Sequence, residues 1–288
     1  MFCGLVEGWL WQQTSSVVDD IVHWPDCPSA PDRVAVVTIS YNTRELTALL
    51  LWSLRRILDW ESLETVVVDN GSRDGSAELL AEIDAGGGCR LIPNAGNAMH
   101  GPALTQAMSF LASRGSGHPR WVWVLDSDVV IGRPDALEKG VERADQTGAA
   151  IVGESWWDPW HETDSFYAYS LLIDPVRVWR DGIDPFVGGG DPAFDLIQSA
   201  RAHGETLCEF PFARDRYVIH RGRSSLSAVW AAGDTAHPSY DWARDHHEPH
   251  FGLVDGAAAR HDELMRAFRA EVGPLDDHRA VEALTSRA

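Results

Sequence analysis

The sequence predicts an α/β protein built on a Rossmann-like, mainly parallel sheet that is flanked by helices. Apolar runs rich in Val alternate with helical patterns four times in the first half of the chain, and polar turn residues separate them. Strands that alternate with helices in this way form parallel sheets with right-handed crossovers. With 288 residues, of which 44% are hydrophobic, the chain can bury the core that such a sheet requires.

The first half supplies four predicted strands. "RVAVVTIS" (33–40) is the first, and Asn42 is expected to cap the following helix, with Glu45 at its third position. The other three are "ETVVVD" (64–69), "CRLI" (89–92) and the apolar run "WVWVL" (121–125). Helical patterns that include residues 79–83 and 104–111 lie between these strands.

The pattern changes after Pro134 and predicts a mixed half that completes the same sheet. The segments "AAIVGE" (149–154), "FYAYSLLID" (166–174), "TLCEF" (206–210) and "RYVIH" (216–220) are strand-like, and a helix is expected after Asp191. An amphipathic helix is expected around Leu264 and Phe268. The predicted organisation is an N-terminal extension (1–32), a domain over 33–230 with halves 33–132 and 133–230, and a partly helical C-terminal extension (231–288).

Charge limits the classes of function. Asp and Glu outnumber Lys and Arg by 43 to 24, which gives a net charge of -19, and Lys139 is the only lysine. This balance argues against a general affinity for nucleic acid or for an anionic membrane. The chain can still bind a diphosphate if a cation, helix N-termini and a few arginines neutralise the ligand.

The cysteines and the N-terminal segment indicate the cellular compartment in which we expect the protein. The four cysteines show no CxxC pair and predict reduced thiols rather than a zinc site. The N-terminal segment lacks a basic region, and no apolar run approaches the roughly 20 residues that span a bilayer. We therefore expect a soluble, cytoplasmic protein without an integral membrane segment, and the sequence leaves its oligomeric state open.

The segment "WVWVLDSDVVIG" (121–132) ends a buried strand on two carboxylates, Asp126 and Asp128. Ligands bind at this edge of open α/β sheets. Two ionised carboxylates on one apolar turn repel each other and need a shared proton or a cation. A hard divalent ion, which takes oxygen ligands, is the simplest partner. The alternative is that the pair forms only a turn and an N-cap before the helix after Pro134.

Four motifs at the ends of predicted strands resemble glycosyltransferase family 2, whose members have the GT-A fold: "SYNT" (40–43), "VVVDNGSRDGS" (66–76), "NAGNAMHGPA" (94–103) and "LDSD" (125–128). Their order and spacing match as well as their residues, and the likeness extends more weakly over residues 34–225. Rhamnosyltransferase-like members are the ones that the chain resembles. The resemblance implies a hexosyltransferase with Mn²⁺ or Mg²⁺ as cofactor and a UDP-, dTDP- or GDP-sugar as donor.

The resemblance assigns a nucleotide site to these loops. It implies that Asp69 accepts a hydrogen bond from a nucleobase N–H, and an Asx turn is the alternative. Asp126 would bind ribose or, through water, the metal, and Asp128 would bind the metal directly. The other implied nucleotide-binding residues are Ser40, Tyr41, Asn42, Asn70, Asn94, Gly96, Asn97 and Ser127. Packing is the alternative for Tyr41, and a positive φ is the alternative for Gly96.

"RYVIHRGRSS" (216–225) is similar to a His-Gly-Ser element of the family. The similarity implies that His220 completes the metal shell and that Arg221 and Arg223 contact phosphate. A hydrogen-bonded surface or core histidine is the alternative for His220.

Asp191 follows an aromatic and Gly-rich loop and resembles the family's catalytic base. Asp191-Pro192 also fits an ordinary helix N-cap, and the helix dipole is expected to keep Asp191 ionised, which makes it a weak base. Relatives often carry an acidic pair here, whereas Gly190 precedes Asp191 in this chain. Asp195 is therefore the fallback for the base.

The acceptor side is predicted in "GESWWDPWHETD" (153–164). Trp156, Trp157 and Trp160 are expected to stack on an acceptor ring, with Glu154 and Asp158 binding hydroxyls; a core and interface cluster is the alternative. The segment "HHEPH" (246–250) has metal-ligand residue types, and we expect it to belong to a solvated tail or to form an incidental second site.

These observations favour a metal-dependent, inverting glycosyltransferase that acts on a hydroxyl of a small molecule or glycan. The sequence lacks the Gln-x-x-Arg-Trp element carried by processive synthases, so a single transfer is expected. Two alternatives stay open. One is a nucleotide-sugar-binding protein without a working base, and the other is a haloacid dehalogenase-like phosphatase that uses Asp126 and Asp128.

Overall fold

A seven-stranded sheet in the order β3-β2-β1-β4-β7-β6-β8 forms the centre of the computed structural model. The structure describes residues 21–25, 30–114, 117–158, 161–188, 191–233, 235, 240–251 and 254–285. The strands of the sheet are β1 (Ala30–Ser40), β2 (Leu63–Asp69), β3 (Arg90–Pro93), β4 (Pro119–Leu125), β6 (Ile151–Asp158), β7 (Thr163–Ile173) and β8 (Leu207–Glu209). Two further strands, β5 (Val129–Ile131) and β9 (Val218–His220), form a separate antiparallel ribbon.

Helices cover the sheet and extend to the C-terminal part of the chain. They are α1 (Arg44–Arg56), α2 (Ser76–Ala85), α3 (His100–Ala112), α4 (Ala136–Thr147), α5 (Pro175–Val178), α6 (Phe194–Ala202), α7 (Ser224–Ala232), α8 (Tyr240–His246), α9 (Ala257–Val272) and α10 (His278–Thr285). The predicted α/β class with a mainly parallel sheet is confirmed.

The first four strands are parallel and end at one edge. The β1–β2 register runs from Val34 opposite Leu63 to Ser40 opposite Asp69, and β3 and β4 flank this pair in the same direction. Each strand therefore delivers its following loop to the same side of the sheet, which brings the four sequence motifs together.

Two pairings in the second half complete this edge. Strand β7 runs antiparallel between β4 and β6, and the carbonyl of Tyr169 accepts a 3.1 Å hydrogen bond from the Asp126 N–H. The β5–β9 ribbon pairs Val129 with His220. A ribbon at this position was not predicted. It carries His220 from a distant part of the sequence to the two aspartates that precede β5.

Helix α1 is buried on two sides, which explains why its sequence is apolar nearly all round. Leu50 and Leu54 pack toward the sheet with Trp121 and Trp123. Trp52, with Leu49 and Leu51, packs in a second cluster that includes α9 and α10. Each fully buried side chain of this kind contributes about 1.5–3 kcal/mol to burial free energy.

The C-terminal helices belong to this packing rather than to a detached tail. Phe268 of α9 meets Trp52 edge-on with ring centroids 6.0 Å apart. Arg269 forms an ion pair with Glu45 of α1. The predicted boundary between a domain and a C-terminal extension at residue 231 stays a prediction. Among the described helices, none is long and apolar enough to cross a membrane.

Two predicted helix caps are wrong. Thr43, not Asn42, precedes α1, because Asn42 takes a positive φ of 51° and uses its side chain in the neighbouring loop. Likewise α6 begins at Phe194 after Ala193, so Asp191 lies two residues before the cap. Its Oδ1 accepts a 3.3 Å hydrogen bond from the Ala193 N–H, which is an Asx turn rather than a cap.

Candidate active site

Asp126, Asp128 and His220 form an Asp-Asp-His cluster at the edge where the parallel strands end. One ligand atom from each side chain lies within 4.8 Å of the others. The His220 Nε2 is 3.3 Å from Asp128 Oδ1 and 3.6 Å from Asp126 Oδ2. The structure thus brings together the three residues predicted as metal ligands. Ser127 lies between the aspartates, and its hydroxyl is 3.1 Å from the hydroxyl of Thr43.

The electrostatics of the cluster require a positive charge. Burial raises the pKa of Asp128, but the charge of His220 and hydrogen bonds from His220 and Ser224 outweigh it and hold this pKa at about 2. Burial lowers the pKa of His220, yet the carboxylates of Asp128 and Asp126 raise it to about 10. Either a proton on the imidazole or a divalent ion among the three groups supplies that charge.

The donor set fits Mn²⁺ or Mg²⁺. Carboxylate oxygens suit both ions, and an imidazole nitrogen is a ligand for first-row transition metals. Asp126 Oδ1 is buried and has no hydrogen-bond partner among the described residues. An unpartnered buried oxygen is costly unless another group binds it. The cluster therefore fits a divalent cation better than a closed network of side-chain hydrogen bonds.

Two residues that the sequence analysis missed hold this cluster in place. Ser224 Oγ donates a 2.5 Å hydrogen bond to Asp128 Oδ2. The Tyr169 ring stacks on the His220 ring with centroids 4.3 Å apart. Ser224 lies in the same "RGRSS" segment as His220, which is a weak signal, whereas nothing in the sequence links Tyr169 to His220.

Asp69 combines both of its predicted alternatives. It is 1% exposed at the end of β2, and its Oδ2 accepts a 3.1 Å hydrogen bond from the Ser72 N–H, which forms the turn. Its Oδ1 is buried and has no hydrogen-bond partner in the described part of the chain. The turn therefore leaves one acceptor oxygen available to a ligand.

The "SYNT" loop packs against the loop after β2. The Asn42 N–H donates to Ser72 Oγ at 2.9 Å, and Asn42 Oδ1 accepts from the Arg73 N–H at 2.7 Å. The Ser40 hydroxyl is buried and accepts from Thr47. Tyr41 is partly exposed on this loop. These bonds fix the loop around Asp69, and they involve the side chains of Ser40 and Asn42 in protein contacts.

Three asparagines form a hydrogen-bond network that links the loop after β2 to the "NAGNAMHGPA" motif. Asn70 Nδ2 donates to Asn97 Oδ1 and to the Met99 carbonyl, and Asn70 Oδ1 accepts from Asn94 and from the Ala98 N–H. Because all its polar positions are used, Asn70 fits a positioning role better than the predicted nucleotide contact.

Gly96 does not take a positive φ, and a Cβ on it would meet no atom within 4 Å. Gly71 has a φ of 78°, and a Cβ on it would lie 2.6 Å from Gly96 Cα. Gly96 itself is exposed. Gly71 is therefore the glycine that lets the loops after β2 and β3 approach each other next to Asp69.

Asp191, the predicted base, lies in the segment before α6. Its Oδ2 is buried and has no hydrogen-bond partner among the described residues. Burial raises its pKa to about 6, the hydrogen bond from Ala193 opposes this rise, and Asp158 and Asp195 add to it. A pKa of about 6 leaves Asp191 mostly ionised at pH 7 and makes it a stronger base than an exposed carboxylate. Gly190 lies outside the described residues.

The surroundings of Asp191 include two further carboxyl groups and a histidine. Burial and Asp184 raise the pKa of Asp195, in the first turn of α6. His161 Nδ1 lies 2.7 Å from Asp158 Oδ2, and its ring stacks on Phe194 at 4.0 Å. Asp158, predicted to bind acceptor hydroxyls, thus has a protein partner.

The predicted acceptor residues separate into buried and exposed positions. Glu154 is 1% exposed, and its carboxylate accepts hydrogen bonds from Tyr169 and Arg214 side chains and from the Ala213 N–H, so it does not reach the surface. Trp156 stacks on Tyr167. Trp157 is 57% exposed. Trp160 lies outside the described residues.

The loop after β9 carries the two predicted phosphate residues. The Arg221 N–H donates to the Asp128 carbonyl at 3.2 Å, and its guanidinium donates to Ser224 Oγ. Arg223 takes a φ of 63° immediately before α7. Its guanidinium makes no hydrogen bond or ion pair within the described residues.

Glu248, Pro249 and His250 are exposed, so the "HHEPH" segment is solvated, but it is anchored to the fold and is not a free tail. The His250 N–H donates a 3.0 Å hydrogen bond to the Arg221 carbonyl. The His247 carbonyl accepts from Ser227, and its ring stacks on Trp230. The segment therefore packs against the loop that follows His220.

Comparisons with known proteins agree with this geometry. A family model described as "Glycosyl transferase family 2" matches residues 35–178, which is half of the chain. The succinoglycan biosynthesis protein ExoO of Rhizobium meliloti (strain 1021) is 36% identical over 127 residues, which are 43% of this chain and 34% of that protein. The chain thus spans about a third of the length of that curated relative.

A solved structure shares the fold. The mannosyltransferase PcManGT from Pyrobaculum calidifontis, in complex with GDP-Man and Mn²⁺, matches with a TM-score of 0.52 at 17% identity, covering 98% of this chain and 86% of that chain. The predicted GT-A fold is confirmed, and the family match favours the predicted glycosyltransferase class over the phosphatase and the non-catalytic binder. The chain belongs to glycosyl transferase family 2.

Proposed function

We propose that this chain is a metal-dependent, inverting glycosyltransferase that moves a single sugar from a nucleoside-diphosphate sugar to a hydroxyl acceptor. The observation that carries the proposal is the Asp-Asp-His cluster at the carboxyl edge of the parallel strands. A cluster with two buried or half-buried carboxylates and one imidazole needs a cation, and a bound cation draws a diphosphate into an otherwise acidic protein.

The nucleobase is selected by Asp69. Its unpartnered Oδ1 is a hydrogen-bond acceptor, so it favours a base that presents an imino N–H. Uracil, thymine and guanine have such a group, whereas cytosine presents an acceptor at the corresponding position. This chemistry supports a UDP-, dTDP- or GDP-sugar as the donor. Tyr41 and the backbone near Gly96 line the remainder of the nucleotide site in this proposal.

Asp126, Asp128 and His220 would hold Mn²⁺ or Mg²⁺. Such an ion neutralises the charge that develops on the departing diphosphate. Arg221 and Arg223, on the loop after β9, would add positive charge near the phosphates. The guanidinium of Arg223, which has no partner among the described residues, is the more available of the two.

Asp191 removes the proton from the acceptor. Its Oδ2 takes the hydroxyl proton as the acceptor oxygen attacks the anomeric carbon from the face opposite the diphosphate. The bond between the anomeric carbon and the diphosphate oxygen breaks, and its electron pair leaves with the diphosphate. The configuration at the anomeric carbon inverts. Burial supports this role because a base with a pKa near 6 accepts a proton more readily than an exposed carboxylate.

The acceptor approaches from the side of Asp191 in this proposal. Trp157, which is exposed, is available to stack on a sugar or apolar ring, while Trp156, which stacks on Tyr167, and Trp160 remain part of the prediction. Asp195 is the fallback base because its carboxyl group lies in the first turn of α6.

The proposal is tested by incubating the protein with Mn²⁺ or Mg²⁺ and a panel of UDP-, dTDP-, GDP- and CDP-sugars, and by measuring nucleotide release. Slow hydrolysis of an imino-bearing donor, abolished by EDTA and restored by the ion, is the expected result. Mass spectrometry of products formed with candidate acceptors then identifies the transfer. Release of phosphate from simple phosphomonoesters, or tight donor binding with neither hydrolysis nor transfer, would contradict the proposal.

A further inference from the structure

Asp126 lies between two histidines, of which only His220 entered the predicted site. His100, the first residue of α3, has its Nε2 3.6 Å from Asp126 Oδ1, while His220 Nε2 is 3.6 Å from Oδ2 of the same carboxylate. The His100 side chain is 29% exposed. His100 therefore lies beside the Asp-Asp-His cluster, directly after Met99, which the asparagine network holds.

The backbone of Met99, directly before His100, is strained. Met99 has φ 71° and ψ 167°, a conformation that residues other than glycine rarely enter. Two asparagines hold it there: Asn97 Oδ1 accepts from the Met99 N–H at 2.8 Å, and Asn70 donates to the Met99 carbonyl at 3.2 Å. Strain maintained by a dedicated network points to a functional requirement at this place.

The residue after His100 is fixed from the other side. The Gly101 N–H donates a 3.0 Å hydrogen bond to the Gly188 carbonyl, and a Cβ on Gly101 would lie 2.5 Å from the Val187 carbonyl oxygen. A side chain at position 101 would force these segments apart. His100 is thus held between two anchored neighbours and not on a freely moving loop.

His100 Nε2 and Asp126 Oδ1 do not form a hydrogen bond with each other. A separation of 3.6 Å is too long for a hydrogen bond, and Asp126 Oδ1 has no hydrogen-bond partner in the described residues. The His100 ring also makes no other hydrogen bond among those residues. The ion assigned to the cluster would satisfy Asp126 Oδ1, so the His100 imidazole N–H is the group left free for an acceptor.

We infer that His100 is a further donor-site residue whose imidazole contacts the diphosphate of the nucleotide sugar, beside the ion held by the Asp-Asp-His cluster. The inference rests on the proposed function. Diphosphate oxygens accept hydrogen bonds from an imidazole N–H, and such charge-assisted bonds are the stronger kind. His100 is placed outside the group of three candidate ligands, so it contacts the substrate rather than the ion.

Binding measurements on His100→Ala and on the more conservative His100→Gln test the inference. Calorimetry in MnCl₂ compares UDP, GDP and dTDP with uridine, guanosine and thymidine, and electron paramagnetic resonance measures Mn²⁺ binding alone. His203→Ala is the control, because His203 is an exposed histidine that follows the C-terminal end of α6 and is not part of the proposed site. We expect His100→Ala to lower the affinity for the preferred diphosphate by about tenfold or more, and His100→Gln to lose less.

The nucleoside and metal measurements identify the cause of any loss. Nucleoside and Mn²⁺ affinities should stay within about twofold of the wild-type values in the His100 variants. An equal loss of nucleoside binding would mean that His100 only shapes the loop, and a loss of Mn²⁺ binding would make it a metal ligand. Either result, or an unchanged diphosphate affinity, overturns the inference. Absence of diphosphate binding by the wild-type protein would instead reject the proposed function.

Discussion

Replacing Asp191 by Asn should abolish transfer and stabilise the fold. Burial raises the pKa of Asp191 from 3.8 to about 6, a shift of about two pKa units at roughly 1.4 kcal/mol each. Keeping this carboxylate ionised in the folded protein therefore costs on the order of 3 kcal/mol at neutral pH. Asn is neutral and of the same shape, and its Oδ1 can still accept the hydrogen bond from Ala193.

The pH dependence follows from the direction of the shift. Because the folded-state pKa of this acid is above its unfolded value, the cost is absent below about pH 3.8, grows up to about pH 6 and is constant above it. The free energy of unfolding of Asp191→Asn should exceed that of the wild type by up to about 3 kcal/mol at pH 7.5 and by roughly half as much at pH 5. Wild-type transfer should fall about tenfold per pH unit below pH 6, because only ionised Asp191 accepts the proton.

Urea unfolding at pH 7.5 and pH 5 measures the stability difference, and calorimetry with the preferred nucleotide checks that the variant still binds its donor. Asp195→Asn is the matched control, since burial also raises the pKa of Asp195. It should keep transfer activity. If Asp191→Asn turns over normally, or is less stable than the wild type at pH 7.5, the assignment of a base whose ionised form is destabilised by burial is wrong. Loss of transfer only in Asp195→Asn would move the role to that residue.

Three further substitutions test the site and its support, and one labelling experiment tests the packing of the fold. Asp128→Ala should abolish metal-dependent nucleotide binding in calorimetry, and retained Mn²⁺-dependent binding would exclude it as a ligand. Asp69→Asn should weaken binding of imino-bearing nucleotides by about 1–3 kcal/mol and relatively favour CDP, because an amide donor can replace the free acceptor; an unchanged preference would leave Asp69 as a turn residue. Glu154→Gln should lower the free energy of unfolding by about 1–3 kcal/mol with little effect on the acceptor KM, whereas a raised KM at unchanged stability would restore its predicted acceptor role. Cys89, whose pKa burial raises to about 12, should resist iodoacetamide at pH 8 in the native protein by mass spectrometry, and rapid labelling would contradict its burial.

The sequence predicted the strands and the edge at which the site lies, because both follow from local patterns. The apolar runs that end at Ser40, Asp69 and Leu125 are strands, and parallel strands necessarily deliver their loops to one side of the sheet. The juxtaposition of Asp126 and Asp128 was visible as a motif. His220 could be assigned only through the family resemblance, because the β5–β9 pairing that brings it to the aspartates joins residues about ninety positions apart.

Residues that act through tertiary contacts were missed or misassigned. Tyr169 reaches His220 only because β7 lies next to β4, and the strained position before His100 depends on asparagines from two loops. The two caps failed for a related reason. Asn and Asp side chains bond the backbone of adjacent turns as readily as they cap helices, and only the assembled loops decide which bond forms. Glu154 was predicted to contact the acceptor because the sequence does not reveal its ion pair with Arg214, sixty positions later.

The donor loop, which we define as residues 94–101, and the loop that carries Asp191, the proposed base, are joined by hydrogen bonds. Gly101, next to His100, bonds the Gly188 carbonyl, and the Val187 N–H donates to the carbonyl of Pro192, which directly follows Asp191. A displacement of the donor loop is therefore transmitted to the base through two backbone contacts. Misplacing a reacting group by about 1 Å can cost a hundredfold in rate. Substitution of Gly101 by Ala, which places a Cβ against Val187, should consequently reduce kcat far more than donor affinity if this connection positions Asp191, and equal losses in both would show that it serves the donor loop alone.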